Sequence, residues 1–279
     1  VQRRISGPIG DPNFYAQILV VIVPLALDRL WHEKVIWLRG LAAWSLAACT
    51  LAILFTFSRG GFLALVVVLG VMFFIHRPSL SATLLTLGVA VVMLRFAPDG
   101  YLQRILSITD VLDVSVTTDQ SVRGRASENA AAWMMFVANP IGGVGLNQYP
   151  VNYQTYSRLM GMDPRRENRS PHSLYLQILA ETGLAGLLTY GTVVVSMFAG
   201  LFEARRRFTA LGQSASAGSA VAVGVALVGY LVAAIFLHAA YARYFWLLFG
   251  LALAIWNIAR HEWEASSLVG GRAGAAGRG

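Results

Sequence analysis

Four side chains in this sequence stand where charge or proton transfer would be useful: Arg59, Arg123, Arg125 and His172. Arg59 lies in Phe57-Ser58-Arg59-Gly60-Gly61, between two apolar runs with almost no loop to hold it. An Arg at mid-membrane costs roughly 2.5–3.5 kcal/mol even on a lenient insertion scale, so its presence asks for a reason. One reading is an interfacial anchor whose guanidinium snorkels to the head groups. The other is an anion site. Ser58 and the bare backbone of Gly60 and Gly61 would sit at a helix N-terminus, where free N–H groups and the helix dipole favour phosphate, and a forked guanidinium would clamp it.

Arg123-Gly124-Arg125 comes just before an Ala-rich stretch, 127–138, in which Asn129, Trp133 and Phe136 recur at helical spacing. A helix lying along the membrane surface or the protein is expected there. The two arginines read either as solvated loop charges or as further ligands for an anion. His172 opens a later apolar run, between Pro171 and Ser173. Imidazole is the side chain whose ordinary pKa lies near neutrality, which makes it the default general base; a hydrogen-bonded helix start is the plainer alternative. Glu181 is costly inside a span and either holds a proton, pairs with an Arg, or braces a helix break at Thr182-Gly183. His238 and Arg243 fall on the same side as His172 and count as possible support. Asp-x-Asp, His-Glu-x-x-His and phosphate-loop patterns are all absent from the sequence. No metal and no cofactor is expected.

The elements that must position these groups are apolar helices. Of the 279 residues, 56% are hydrophobic and 13% charged, and the mean hydropathy is +0.59. A soluble domain carries roughly a quarter charged residues, so an all-α, polytopic membrane helix bundle is predicted. Spans need about 20 mostly apolar residues, and seven are predicted, at about 13–30, 35–57, 60–75, 80–97, 173–202, 220–238 and 243–258. The fifth is long enough to be tilted, or broken near Glu181-Thr182-Gly183. Between the fourth and fifth lies a polar interval, 98–172, too charged for hydrocarbon, which must project from the membrane as one large loop with short helices. The chain then divides into spans 1–4 (1–97), the loop (98–172), spans 5–7 (173–260) and a Gly/Ala/Arg-rich tail (261–279) expected to be disordered and cytoplasmic. Residues 212–218 read as a flexible linker.

Short-loop Lys and Arg orient the bundle. Arg29, Lys34, Arg39, Arg77 and the Arg205-Arg206-Arg207 run share one side, taken as cytoplasmic. Arg59, Arg125, His172 and His238 then share the other. The net charge of +8 reports this orientation, and nucleic-acid binding is not expected. The lone Cys49 excludes an intrachain disulfide and reads as a small packed hydrophobe. Because the sequence opens on Val1, earlier spans are expected ahead of it. A transporter or flippase for anionic solutes is the rival class. It would hold its charges near the bilayer midplane, whereas these map to one face.

At this point the motifs resemble a known family. Phe57-Ser58-Arg59-Gly60-Gly61 resembles the Ser-Arg-Gly motif of the bacterial O-antigen ligase and polymerase family. Gly124-Arg125, followed by Pro140-Ile141-Gly142-Gly143-Val144-Gly145, is similar to its "Gly-Arg … Pro-Leu-Leu-Gly-Val-Gly" signature. Pro171-His172-Ser173-Leu174-Tyr175-Leu176 with Glu181-Thr182-Gly183 resembles its "His-Asn-x-Tyr-Leu … Glu-x-Gly" run, and Gly10-Asp11-Pro12-Asn13 an earlier element. The likeness covers about 7–202. Ser173 departs from the usual Asn, and Asn129 stands where an aromatic is common.

The resemblance implies a GT-C-like, metal-independent glycosyltransferase in the bacterial inner membrane, with its site on the periplasmic face. It would move a glycan from a polyprenyl-diphosphate carrier to a hydroxyl on a glycan, lipid A core or protein. It also implies His172 as base, Arg59 and Arg125 as diphosphate-binding catalytic groups, and Ser58, Gly60, Arg123, Gly143 and Gly145 as substrate-binding residues. Ligase, polymerase and protein O-oligosaccharyltransferase share these motifs.

Overall fold

The computed structural model describes residues 4–76, 120–159, 169–238 and 242–276. Their regular structure is helical: α1 (Pro12–His32), α2 (Ile36–Phe55), α3 (Arg59–His76), α4 (Gln120–Ala138), α5 (Tyr149–Leu159), α6 (Leu174–Ala210), α7 (Ser214–Ala233) and α8 (Arg243–Ala276), with 3-10 turns at Gly7–Ile9 and Ala234–Phe236. Five of these are long and apolar enough to cross a membrane: α1, α2, α3, α6, and α7 with the turn that follows it. The chain is therefore a multi-pass helical membrane protein.

Five is fewer than the seven spans expected. The fourth, 80–97, lies outside the described residues. The seventh is present as a helix, α8, but its apolar stretch shares space with Arg243, Tyr244, Trp246, Trp256 and Asn257, which lower its hydropathy. Two segments expected to be unstructured are helical. α8 continues to Ala276 into the presumed tail. The presumed linker contributes the first turn of α7, because Gly218 lies against Asp28 and His32 of α1, where a Cβ would come within 2.5 Å of the Asp28 carboxylate. α4 also starts earlier than expected, so Arg123 and Arg125 lie within it.

α1 is central and packs on α2, α3 and α7, while α6 packs on α7 and α8. Hydrophobic burial does not drive helices together inside lipid, so close approach depends on small side chains. α7 supplies them: Ala220, Ala222, Ala226, Gly229 and Ala233 are buried, and Gly229 sits against Val20 and Val68. One buried polar side chain in this core, Gln17, is fully engaged. Gln17 donates to the carbonyl of Tyr230 at 3.1 Å and accepts from the Tyr244 hydroxyl.

The helices alternate in direction. At one end, Phe14 meets His238 edge to face, His238 approaches His172, and Phe236 covers Gly60. At the other, Trp31 and His32 face His76. The starts of α1, α3 and α6 thus gather at one end of the bundle.

On that end sits a cap made of α4 and α5. Ala131, Ala132, Met135, Tyr149 and Tyr153 bury themselves together with Ala180 of α6. On α4 the alanines at 131 and 132 face inward, while Trp133 is exposed. The cap is locked to α6 through a break in that helix. At 37 residues, α6 is roughly 55 Å long at 1.5 Å per residue, well beyond the ~30 Å hydrocarbon core. Gly183 interrupts it at φ 64°, ψ −159°. A break strands backbone groups, which are costly without partners, and the 140–145 turn satisfies them. Val144 and Gly145 N–H groups donate to the Ala180 and Glu181 carbonyls at 2.8 and 3.0 Å, and those of Leu184 and Ala185 donate to Pro140 and Ile141 at 2.9 and 3.2 Å.

Candidate active site

His172 enters α6 from the cap side. Pro171 is buried ahead of it, and Ser173 caps the helix by accepting from the N–H of Leu176. The backbone N–H of His172 donates to Oδ1 of Asn129 at 3.2 Å. Its Nδ1 lies 2.6 Å from Oε2 of Glu128. The other carboxylate oxygen, Oε1, accepts from Nη1 of Arg169 at 2.7 Å. Glu128 is only 1% exposed, so this is a buried anion held between two cationic or potentially cationic partners. Burial pushes its pKa up, but the bonds from His172 and Arg169 outweigh that and hold it below the ordinary carboxylate value.

The backbone of Glu128 is fixed as firmly as its side chain. Its carbonyl accepts from the Tyr149 hydroxyl at 2.6 Å, and the neighbouring Ser127 Oγ pairs with the Tyr153 hydroxyl at 2.9 Å. Both tyrosines are buried in α5. The order of construction is clear: α5 braces α4, α4 presents Glu128 and Asn129, and these two hold His172 at the start of α6.

His238 follows the turn after α7, its ring 6.1 Å from that of His172 and nearly perpendicular to it. Burial, helped by the nearby His172, lowers the pKa of His238. Two residues earlier Phe236 lies over Gly60, where a Cβ would come within 2.9 Å of its ring. Arg59 is half-buried as the first residue of α3, and Ser58 Oγ caps that helix by accepting from Gly61 N–H at 3.2 Å. The short segment 236–238 therefore lies against Gly60 at its Phe236 end and faces His172 at its His238 end. Arg4 closes the near side, donating to the Thr56 carbonyl at 2.8 Å and to Asn13 at 3.0 Å.

Other expected site residues have different surroundings. Arg125 is half-buried on α4, three residues before Glu128. Arg123 lies in the first turns of the same helix, and its side chain is outside the described residues. Arg243 is exposed at the start of α8. Gly143 and Gly145 belong to the lock on α6; a Cβ on Gly143 would fall 2.3 Å from the Glu181 carbonyl carbon. Glu181 is buried beside that lock and accepts from the Tyr149 N–H at 3.2 Å.

Sequence reasoning missed Glu128 and Arg169. A signal for each was present. Glu128 is a lone acid on an alanine-rich helix, one residue before Asn129, and Arg169 stands three residues before His172.

A helical membrane protein with a histidine, a buried carboxylate and arginines at one end of its bundle is the class that fold and site define. The family model described as O-antigen ligase matches residues 44–191, more than half of the chain. The chain belongs to the O-antigen ligase family. The matched region takes in Arg59, Arg125, Glu128, Arg169 and His172, and stops short of His238 and Arg243. No curated protein matches the chain.

Proposed function

We propose that this protein is a glycosyltransferase that moves a glycan from a polyprenyl-diphosphate carrier to an acceptor hydroxyl at the periplasmic face of the inner membrane. One observation carries the reading: His172 lies at the same end of the bundle as Arg59, whose neighbour Gly60 packs on Phe236, two residues before the His238 ring that faces His172. Family membership supplies the reaction type. Orientation rests on the basic segments, since Arg205, Arg206 and Arg207 lie at the far end of α6 from His172.

The chemistry follows from the groups present. The acceptor oxygen forms a bond to the anomeric carbon while His172 takes its proton. The bond from that carbon to the diphosphate oxygen breaks, and the polyprenyl diphosphate leaves with the bonding pair and an added negative charge. Arg59, at the N-terminus of α3, and Arg125 hold that charge as it develops, an electrostatic contribution made in the transition state. The carrier's lipid tail reaches the site from the bilayer and the acceptor from water, which a site at the end of the spans allows.

Ligase, polymerase and protein glycosyltransferase run this same step and differ in the acceptor. The test is a reconstituted assay with the full-length protein, a polyprenyl-diphosphate-linked glycan, and in separate arms a lipid A core, a second carrier-linked glycan or a hydroxyl-bearing protein. Coupled appearance of glycosylated acceptor and free polyprenyl diphosphate is expected in one arm. Absence of both products in every arm, with correctly inserted protein, would refute the reading.

A further inference from the structure

We infer that Glu128 is a positioning residue that fixes the tautomer of His172, and that Arg169 sets the orientation in which it does so. This rests on the proposed role of His172 as base.

The chemistry of donors and acceptors decides where the proton of His172 sits. An ionised carboxylate only accepts hydrogen bonds, and neutral imidazole carries one N–H and one bare nitrogen. With Glu128 Oε2 at 2.6 Å from Nδ1, the proton of neutral His172 is held on Nδ1. The bare nitrogen is therefore Nε2, the one that can take a proton from an acceptor hydroxyl. The bond from Asn129 to the His172 backbone fixes the start of the side chain, and the Glu128 bond fixes the ring. Ring rotation and tautomer are settled before substrate arrives.

Arg169 gives Glu128 a second property. A guanidinium can only donate. It binds Oε1 at 2.7 Å, opposite the oxygen that binds His172. In Glu128→Gln the side chain keeps its shape but has one oxygen and one NH2 group. Arg169 requires the oxygen, so the NH2 must turn toward His172. An NH2 facing Nδ1 is satisfied only if Nδ1 is bare, which moves the proton to Nε2 and disables the base. Removing Arg169 lets the amide flip, places its oxygen on Nδ1 and restores the working tautomer. A carboxylate that merely holds the cap in place makes no such prediction.

The test is a double-mutant cycle on the full-length protein in the glycan-transfer assay, with Glu128→Gln, Arg169→Met, the double variant and His172→Ala, all at matched insertion. Glu128→Gln is expected to lower kcat about 10²-fold with KM for the donor little changed, the scale of losing a general base. In the Arg169→Met background the same substitution should cost less than about tenfold, a coupling that independent sites do not show. An equal loss in both backgrounds overturns the tautomer account. Wild-type turnover by Glu128→Gln beside an inactive His172→Ala removes the role of Glu128 and leaves the base standing; full activity of both removes the base as well. Should Glu128→Gln fail to insert, Glu128→Ala is assayed with added acetate: acetate-dependent recovery of kcat supports the role, and no recovery overturns it.

Discussion

Gly183 and Ile141 are packed so closely that a Cβ on Gly183 would lie 2.3 Å from the Ile141 carbonyl oxygen. Gly183 also holds φ at 64°, a backbone conformation that L side chains rarely adopt. Gly183→Ala is therefore expected to open the lock between cap and α6 and to cost on the order of 1–3 kcal/mol from strain alone. Thermal melting in detergent should show a lowered midpoint, and protease should cut the cap more readily. An unchanged melting curve would show that the cap is held elsewhere.

The packing of α7 gives a paired comparison. A Cβ at Gly229 would come within 2.7 Å of Val68 and 2.9 Å of Val20, whereas Gly191 on α6 has nothing within 4 Å. Gly229→Leu is expected to force α7 away from α1 and α3 and to reduce the yield of folded protein. Gly191→Ala should leave both yield and melting temperature at or above wild type. Overpacking a tight core typically costs roughly 1–3 kcal/mol. Equal yields for the two variants would contradict this packing.

Glu128 makes stability depend on pH. Its pKa is held below the ordinary value of 4.5, so the folded state binds its proton less readily than the unfolded chain. The stabilisation is fully present above about pH 4.5 and is lost as pH falls through the lower, folded value. The melting temperature of wild type should exceed that of Glu128→Leu at neutral pH, and the gap should shrink on acidification. A gap that stays constant from neutral pH to pH 3 would mean that the carboxylate's charge contributes nothing.

Much of this arrangement was legible in the sequence. The apolar runs gave α1, α2 and α3 nearly to the residue, because long hydrophobic periods flanked by Pro12, Ser58 and basic turns leave few alternatives. The break at Gly183 was foreshadowed by a Glu-Thr-Gly inside an apolar helix. What the sequence concealed was pairing across distance. Glu128 and His172 are 44 residues apart, and a lone Glu among alanines, though visible, does not say which distant side chain it pairs with. The face by which α4 meets α6 was hidden for a related reason: it includes the small residues Ala131 and Ala132, which carry no distinctive signal. The close packing of the 142–145 glycines was not legible either: Gly145 is bonded to the Glu181 carbonyl at the helix break, and Gly143 lies against the Glu181 backbone. The α7 start at Ser214 was hidden by a Gly/Ser/Ala composition that signals a linker in water and close helix packing in a membrane.

Arg59 tests the donor side of the reaction. Arg59→Lys keeps the charge but replaces a forked, planar group with a point charge. Transfer is expected to fall by about tenfold or more, and further in Arg59→Ala, with the loss expressed at saturating acceptor. Binding of polyprenyl diphosphate alone, measured by titration, should weaken in parallel. Full transfer by Arg59→Ala at matched protein level would remove the proposed diphosphate contact.

The central claim is that His172 takes the acceptor proton. The most direct measurement is the single-turnover transfer rate of His172→Ala against wild type, with donor pre-bound, acceptor saturating and insertion matched. A fall of roughly 10²–10⁴-fold, with donor binding retained, is the result expected for a lost general base. His238→Ala, the neighbouring ring outside the proposed chemistry, should fall far less. A His172→Ala protein that transfers glycan at near the wild-type rate would contradict the account and leave His172 as a structural start to α6.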